Sequence, residues 1–187
     1  MTAFDFLLKI LFDTYLMIVV LRVWLQIARA DFYNPFCQFI VKATDPLVLP
    51  MRRVIPGVLG IDMAGVVLAL IVAYSKFSIL MVMGSGEISV VSVLIIGTLF
   101  TIKKVGVLLF WVLLIRAIMS WISQGRHPIE QVMSQLSEPL LSPIRRRLPE
   151  MGGLDLSLMV VSFSLLFLNM LANDILTPLI GPIWASL

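Results

Sequence analysis

Residues 46–62 read PLVLPMRRVIPGVLGID, and residues 139–155 read PLLSPIRRRLPEMGGLD. A constant offset of 93 positions aligns the prolines, the paired arginines, a glycine and an aspartate of the two stretches. The matching pairs are Pro46–Pro139, Leu47–Leu140, Pro50–Pro143, Arg52–Arg145, Arg53–Arg146, Pro56–Pro149, Gly60–Gly153 and Asp62–Asp155. Because an internal repeat decides the architecture of a chain, the sequence predicts one module that occurs twice.

The composition places this module in a membrane. Hydrophobic residues make up 60% of the chain and charged residues 13%, whereas a soluble domain usually has about 25% charged residues. A single cysteine, Cys37, excludes an internal disulfide, and with a single histidine, His127, we expect no metal site and no cofactor. The sequence has no Walker loop and no dinucleotide-type glycine run.

Four apolar segments approach the ~20 residues that cross ~30 Å of hydrocarbon. The predicted spans are residues 10–28, 64–83, 104–122 and 156–172. A further apolar segment, residues 88–102, is interpreted as a lead-in to the third span, packed on or dipping into the outer face. If it crossed, the two arginine motifs would lie on opposite sides of the membrane, against the positive-inside rule. The sequence leaves open whether this segment lies flat, dips or extends the third span.

The distribution of basic residues predicts the orientation. Ten lysines and arginines lie in or beside the two long loops, and four lie on the other side. We therefore expect both loops in the cytoplasm and both termini in the periplasm. The predicted fold is an all-α membrane protein with two tandem parallel repeats, residues 1–87 and 88–187. Each repeat has a transmembrane helix, a cytoplasmic amphipathic loop with the Pro/Arg-Arg motif, and a second transmembrane helix.

Each cytoplasmic loop is predicted to begin with an interfacial amphipathic helix. In the first loop Asn34 caps this helix, Pro35 begins it and Pro46 ends it. The equivalent positions of the second loop are His127, Pro128 and Pro139. A turn then leads to an aspartate that caps the next span. The turn glycines and capping aspartates are Gly60 and Gly153, and Asp62 and Asp155.

The arginines of the motif are candidates for binding anionic lipid headgroups or an acidic partner, and each arginine near a membrane surface contributes about 1 kcal/mol. These candidates are Arg52, Arg53, Arg145, Arg146 and Arg147. The alternative is that they only enforce topology. The surrounding prolines favour a structured role, because topology alone needs no fixed geometry.

Arg22 and Arg116 lie near the cytoplasmic ends of the first and third spans. An ionisable residue within a span is a functional candidate. Here we expect structural ion pairs, Arg22–Asp62 and Arg116–Asp155, that fix each hairpin. Asp13 lies well inside the first span and has no acidic counterpart in the third. A proton or cation path would need a chain of such groups.

The string DFYNPFCQFIVKATDPLVLPMRRVIPGVLGID, residues 31–62, resembles the signature of the YggT family, and residues 127–155 fit the same pattern. The resemblance covers nearly the whole chain and is to the two-copy proteobacterial type. It implies a membrane-bound accessory protein and supplies no catalytic mechanism. Members of the family have been linked to cell-division-site organisation, to cytochrome assembly in thylakoids, and to osmotic or ion homeostasis. The second copy differs at His127 and Arg147 and lacks the aromatic residues corresponding to Phe32 and Tyr33, so the two loops need not share one ligand.

We therefore expect a non-enzymatic, multi-pass protein of the bacterial inner membrane. It would act as an assembly or scaffold factor whose arginine-rich loops bind anionic lipid or a membrane-protein client. The alternative is a channel or transporter component in ion or osmotic homeostasis, which predicts a polar path near the midplane. A membrane enzyme has the least support, because the sequence shows no Ser/His/Asp, metal-ligand or paired-carboxylate set. Four short spans bury little surface, so a homo-oligomer is a further expectation; no nucleic-acid partner is expected.

Overall fold

The computed structural model describes residues 3–58, 60–85, 88–122, 127–147 and 156–180. These residues form six α-helices and one isolated bridge, between Val58 and Ile61. The helices are α1 (Ala3–Ile27), α2 (Pro35–Arg52), α3 (Met63–Ser85), α4 (Val90–Ile122), α5 (Pro128–Arg145) and α6 (Leu156–Ile180). The predicted all-α class is therefore confirmed.

Three of the described helices are long and apolar enough to cross a membrane. They are α3 over Met63–Gly84, α4 over Val90–Ser120 and α6 over Leu156–Ile180. Helix α1 has 25 residues but carries four charged side chains, and it is not among the three. The three helices fit a membrane protein, and the fourth span, along α1, stays a prediction.

Helix α4 begins earlier than the predicted third span. It is continuous over 33 residues from Val90, so most of the apolar segment 88–102 extends the helix of the third span. At 1.5 Å per residue α4 is about 50 Å long, which exceeds the ~30 Å of hydrocarbon. The lysines at its middle do not end it, because no proline interrupts the helix and the Lys104 ammonium is paired with Asp13 of α1 at 2.9 Å.

Helices α2 and α5 both have 18 residues and begin at the predicted prolines. The side chain of Asn34 accepts a hydrogen bond from the backbone N–H of Phe36 at 3.0 Å. In α5, Nδ1 of His127 accepts one from the N–H of Ile129 at 3.2 Å. Both predicted caps are therefore confirmed, since these side chains satisfy donors that a helix start leaves without partners.

The predicted ends of these helices are wrong: α2 continues through Pro46 to Arg52, and α5 through Pro139 to Arg145. A proline within a helix removes one backbone donor and crowds the preceding turn. Pro46 leaves the carbonyl of Lys42 without its helical donor. In the same turn the hydroxyl of Thr44 donates to the carbonyl of Ile40 at 2.7 Å, and Nη1 of Arg22 donates to the carbonyl of Val41 at 3.1 Å, so α1 contacts α2 where the proline interrupts its backbone bonds.

The chain divides into two compact units. The first comprises Met1–Ile27 and Phe39–Val105, and the second comprises Ala28–Gln38 and Gly106–Leu187. These units follow contacts in space and not the sequence repeat. The predicted division into residues 1–87 and 88–187 therefore stays a prediction.

In the first unit α1 packs closely on α3. A Cβ added at Gly65 would lie 2.7 Å from Cγ2 of Val23, so the absence of a side chain permits this approach. Helix α4 also approaches α3, where a Cβ at Gly97 would lie 2.5 Å from Cδ1 of Tyr74. Two glycines thus set the spacing of three helices.

The second unit is built around contacts of α5 with α6. Its buried apolar cluster consists of Leu113, Leu141 and Val161, one residue from each of α4, α5 and α6. The segment before α2 joins this unit through Asp31, whose backbone N–H donates to Oε1 of Gln135 on α5 at 3.1 Å.

Candidate functional site

The candidate site of the first unit is centred on Arg22, which is only 4% exposed. We call it the first arginine clamp, and it consists of Arg22, Thr44, Asp45, Arg52 and Asp62. Nη1 of Arg22 lies 2.6 Å from Thr44 Oγ1 and 2.7 Å from Asp45 Oδ1, both on α2. Its Nε lies 3.8 Å from Oδ2 of Asp62, the residue before α3. The guanidinium group therefore links three successive helices of the first unit.

Arg52 binds Asp62 more closely than Arg22 does. Its Nη2 lies 2.5 Å from Oδ2 and its Nε 3.2 Å from Oδ1, so the pair is bidentate. The same Nη2 donates to Oε1 of Gln26 on α1 at 3.2 Å. Asp62 is 3% exposed and also accepts the backbone N–H of Gly65 in the first turn of α3.

The charges of the first arginine clamp are balanced, with two guanidinium groups against two carboxylates. Burial raises the pKa of Asp62, but the hydrogen bond and charge of Arg52 outweigh it, so this pKa lies below its ordinary value. The hydrogen bond to Asp62 in turn raises the pKa of Arg52. Arg52 and Asp62 are consequently both ionised at neutral pH, and each is paired with a group of opposite charge.

The second arginine clamp, in the second unit, repeats the contact of a central arginine with a hydroxyl and a carboxylate, but its last arginine binds a carboxylate of its own helix. Arg116 of α4 donates to Oγ of Ser137 on α5, and its Nη2 lies 3.4 Å from Oε2 of Glu138. Arg145 at the end of α5 lies 3.2 Å from the same carboxylate. The hydroxyl of Ser137 donates to the carbonyl of Met133 at 2.6 Å, as that of Thr44 does in α2. This clamp is the more exposed, because the side chain of Glu138 is 48% exposed.

The two clamps divide the five predicted lipid-binding arginines. Arg52 and Arg145 belong to the clamps: Arg52 joins the end of α2 to the residue before α3, and Arg145 binds a carboxylate two turns earlier on α5. Arg53, Arg146 and Arg147 follow those helix ends and are exposed. Within the part of the chain that the structure describes, these three form no ion pair with a carboxylate.

The predicted ion pairs have different outcomes. The structure places Arg22 within 3.8 Å of Asp62 but brings it closer to Asp45, which the sequence did not single out. The pair Arg116–Asp155 falls outside the described residues, because Asp155 is not among them, and neither are Pro149 and Gly153.

The other motif residues shape the loops. Gly60 has a φ of +81°, the left-handed conformation that glycine adopts without strain, and forms the predicted turn before α3. The prolines of the motif are exposed, both Pro56 after α2 and those within α2 and α5. The motif prolines within these two helices are Pro46, Pro50, Pro139 and Pro143.

Comparison with known proteins agrees with these motifs. The CCB3/YggT family model matches residues 1–83 and 95–176. This chain belongs to the CCB3/YggT family. It is similar to an uncharacterized protein named YggT from Escherichia coli (strain K12), with 47% identity over 94% of this chain and 92% of the relative. An uncharacterized protein from the proC 3' region of Vibrio alginolyticus is 54% identical over the whole of both chains. No solved structure matches the chain.

In this YggT-family chain, the sequence analysis did not identify the hydroxyl and carboxylate residues that Arg22 and Arg116 bind. They occur in Thr-Asp-Pro at residues 44–46 and in Ser-Glu-Pro at residues 137–139, again at an offset of 93. A comparison of identities overlooks both pairs, because threonine is replaced by serine and aspartate by glutamate. A comparison of chemical class, hydroxyl followed by carboxylate and proline, would have found them. Among the described residues no group of three His, Cys, Asp or Glu could hold a metal ion.

Proposed function

We propose that this protein is a non-enzymatic membrane scaffold whose exposed loop arginines bind anionic phospholipid headgroups at the cytoplasmic face of the bacterial inner membrane. The observation that carries this proposal is the division of the arginine motif. Arg52 and Arg145 bind carboxylates of the clamps, and Arg53, Arg146 and Arg147 are exposed beside them without an ion pair among the described residues. Each of these three contributes about 1 kcal/mol near an anionic surface.

The contacts between the two helix starts support the placement of both loops on one face. In the second unit Nδ2 of Asn34, the cap of α2, donates to the carbonyl of Pro128 in the first turn of α5 at 2.8 Å. Among the described residues, α3 and α4 are the helices between the two loops, and both are candidate spans. Two crossings between the loops bring the chain back to the same face, which fits four spans in two parallel repeats if α1 also crosses.

Apolar side chains next to the arginines favour a lipid surface over an acidic soluble protein. Val54 follows Arg53 directly and is 82% exposed. On the amphipathic helix α2, the apolar side chains of Phe39 and Leu47 are 61% and 48% exposed. A helix that lies in the membrane interface uses such residues to enter the acyl boundary while arginines contact phosphates. We propose that the loops, once bound, organise a membrane-protein client, as the family resemblance implies.

The test compares two double variants of the full chain that remove equal charge. Arg53→Gln with Arg146→Gln removes exposed arginines of the motif, and Arg29→Gln with Lys42→Gln removes exposed basic residues elsewhere in the loops. After purification in mild detergent, the anionic phospholipid and the proteins that accompany each variant are quantified. We expect the first variant to lose most of its anionic lipid and the control to keep it. Equal lipid content in both variants and the unchanged protein would refute the proposal.

A further inference from the structure

A second charged cluster lies within the first unit, away from the clamps. Asp13 of α1 binds two lysines: Nζ of Lys76 on α3 lies 2.5 Å from Oδ1, and Nζ of Lys104 on α4 lies 2.9 Å from Oδ2. The ring of Phe100 faces both ammonium groups, with its centroid 3.9 Å from Lys76 Nζ and 4.9 Å from Lys104 Nζ. We call these four residues the lysine–aspartate cluster.

The cluster lies inside the apolar part of the helices. Arg22 marks the end of α1 at which the helix meets α2, and Asp13 precedes it by nine residues, about 13 Å at 1.5 Å per residue. Lys76 and Lys104 belong to helices that are candidate membrane spans. Charges at such depth are costly and occur mainly where they are paired or functional.

The charge of the lysine–aspartate cluster is not balanced, unlike that of the first arginine clamp. Among the residues that the structure describes, the two ammonium groups share this one carboxylate, so the three groups together carry one excess positive charge. Lys9, one helical turn before Asp13 on α1, adds to the positive field at Lys76. The Phe100 ring offsets part of this charge through its negative face. The described groups of the cluster therefore carry a net positive charge, which attracts anions and repels cations.

We propose that the lysine–aspartate cluster binds a small monovalent anion such as chloride. The Asp13 carboxylate, which binds the same two ammonium groups, would compete with this anion for part of the site. A bound anion would balance the second ammonium group. The Asp13 side chain is 28% exposed whereas that of Lys76 is 3% exposed, so the cluster is more open at Asp13 than at Lys76. This inference goes beyond the proposed function, because it uses none of the loop arginines.

The test measures thermal unfolding of the purified full chain in mild detergent while chloride replaces gluconate at constant ionic strength. A bound anion stabilises the folded state in a saturable way, so we expect the unfolding temperature to rise with chloride. Lys76→Gln should abolish the rise, and Lys42→Gln, which removes an exposed lysine, should leave it unchanged. Asp13→Asn should lower the chloride concentration at half-saturation by about tenfold or more, because two buried charges then lack a partner.

The broadening of the chloride NMR signal by the unchanged protein is a second measurement that does not depend on folding of the Asp13 variant. Broadening that is lost in Lys76→Gln supports the site. The proposal is overturned if chloride and gluconate give the same unfolding temperature and no broadening occurs. It is also overturned if the unfolding temperature depends on pH alone, since the cluster would then reach neutrality by releasing a proton.

Discussion

Replacing Arg22 with glutamine would test whether the first arginine clamp holds α1, α2 and α3 together. The change removes a side chain that is 4% exposed and whose Nη1 lies within 2.7 Å of both Thr44 Oγ1 and Asp45 Oδ1. Breaking a buried ion pair costs roughly 3–5 kcal/mol, because the remaining charge loses its partner. Asp45 is 31% exposed and Asp62 keeps Arg52, so we expect a loss near the lower limit, about 3 kcal/mol.

Arg116→Gln is the matched control, because it makes the same change in the second arginine clamp. Glu138 is 48% exposed there and can be hydrated when its partner is removed. An exposed ion pair contributes about 1 kcal/mol or less, so this variant should lose much less stability than Arg22→Gln. The expected difference between the variants is therefore about 2 kcal/mol.

The assay is equilibrium unfolding of the full chain in mixed micelles, with SDS as the denaturant. Double-mutant cycles then divide the effect between partners. The coupling of Arg22 with Asp45, at 2.7 Å, should exceed its coupling with Asp62, at 3.8 Å. Equal losses for Arg22→Gln and Arg116→Gln, or a stronger coupling of Arg22 to Asp62, would refute the reasoning.

Three further predictions follow from local geometry. Gly97→Ala should destabilise the protein by about 1–3 kcal/mol, because the new Cβ would lie 2.5 Å from Cδ1 of Tyr74, whereas Gly106→Ala, with nothing within 4 Å, should be neutral or stabilising in thermal unfolding. Arg52 lowers the pKa of Asp62 in the folded state, so the ionised Asp62 carboxylate stabilises the fold above the unfolded pKa of about 3.9, and this stabilisation is lost as the pH falls through the folded pKa. In Asp62→Asn the free energy of unfolding should therefore depend less on pH in the acid range. Burial and the charge of Asp31 raise the pKa of the Cys37 thiol, which is 0% exposed, so alkylation should be slow in the native protein and fast in SDS; equal rates would contradict this burial.

The sequence predicted those features that depend on neighbouring residues. The starts of α2 and α5 follow from a capping side chain and a proline, and the turn before α3 follows from Gly60. Each of these is decided within about four residues, so a local pattern contains the needed information. The family resemblance rested on the same local motifs and was confirmed by the family match over most of the chain.

Features that depend on distant residues were predicted less well. The rule that proline ends a helix failed in α2, which continues past Pro46 where Arg22 of α1 binds Thr44 and Asp45 in the turn before the proline. The partner of Arg22 was assigned to Asp62, although Asp45 lies closer. Such choices depend on how α1 is rotated against α2, and no spacing within one helix determines that rotation.

The paired arginines have different environments because of helix geometry. Successive residues on an α-helix are turned by about 100°, so two adjacent side chains cannot both point into one clamp. In each loop the first arginine, Arg52 or Arg145, binds a carboxylate of a clamp, and the second is exposed. Arg146 has helical dihedral angles, φ −63° and ψ −20°. Its side chain therefore leaves the helix about 100° away from that of Arg145. An arginine pair at a clamped helix end therefore gives an exposed guanidinium group a defined position, which topology alone would not require.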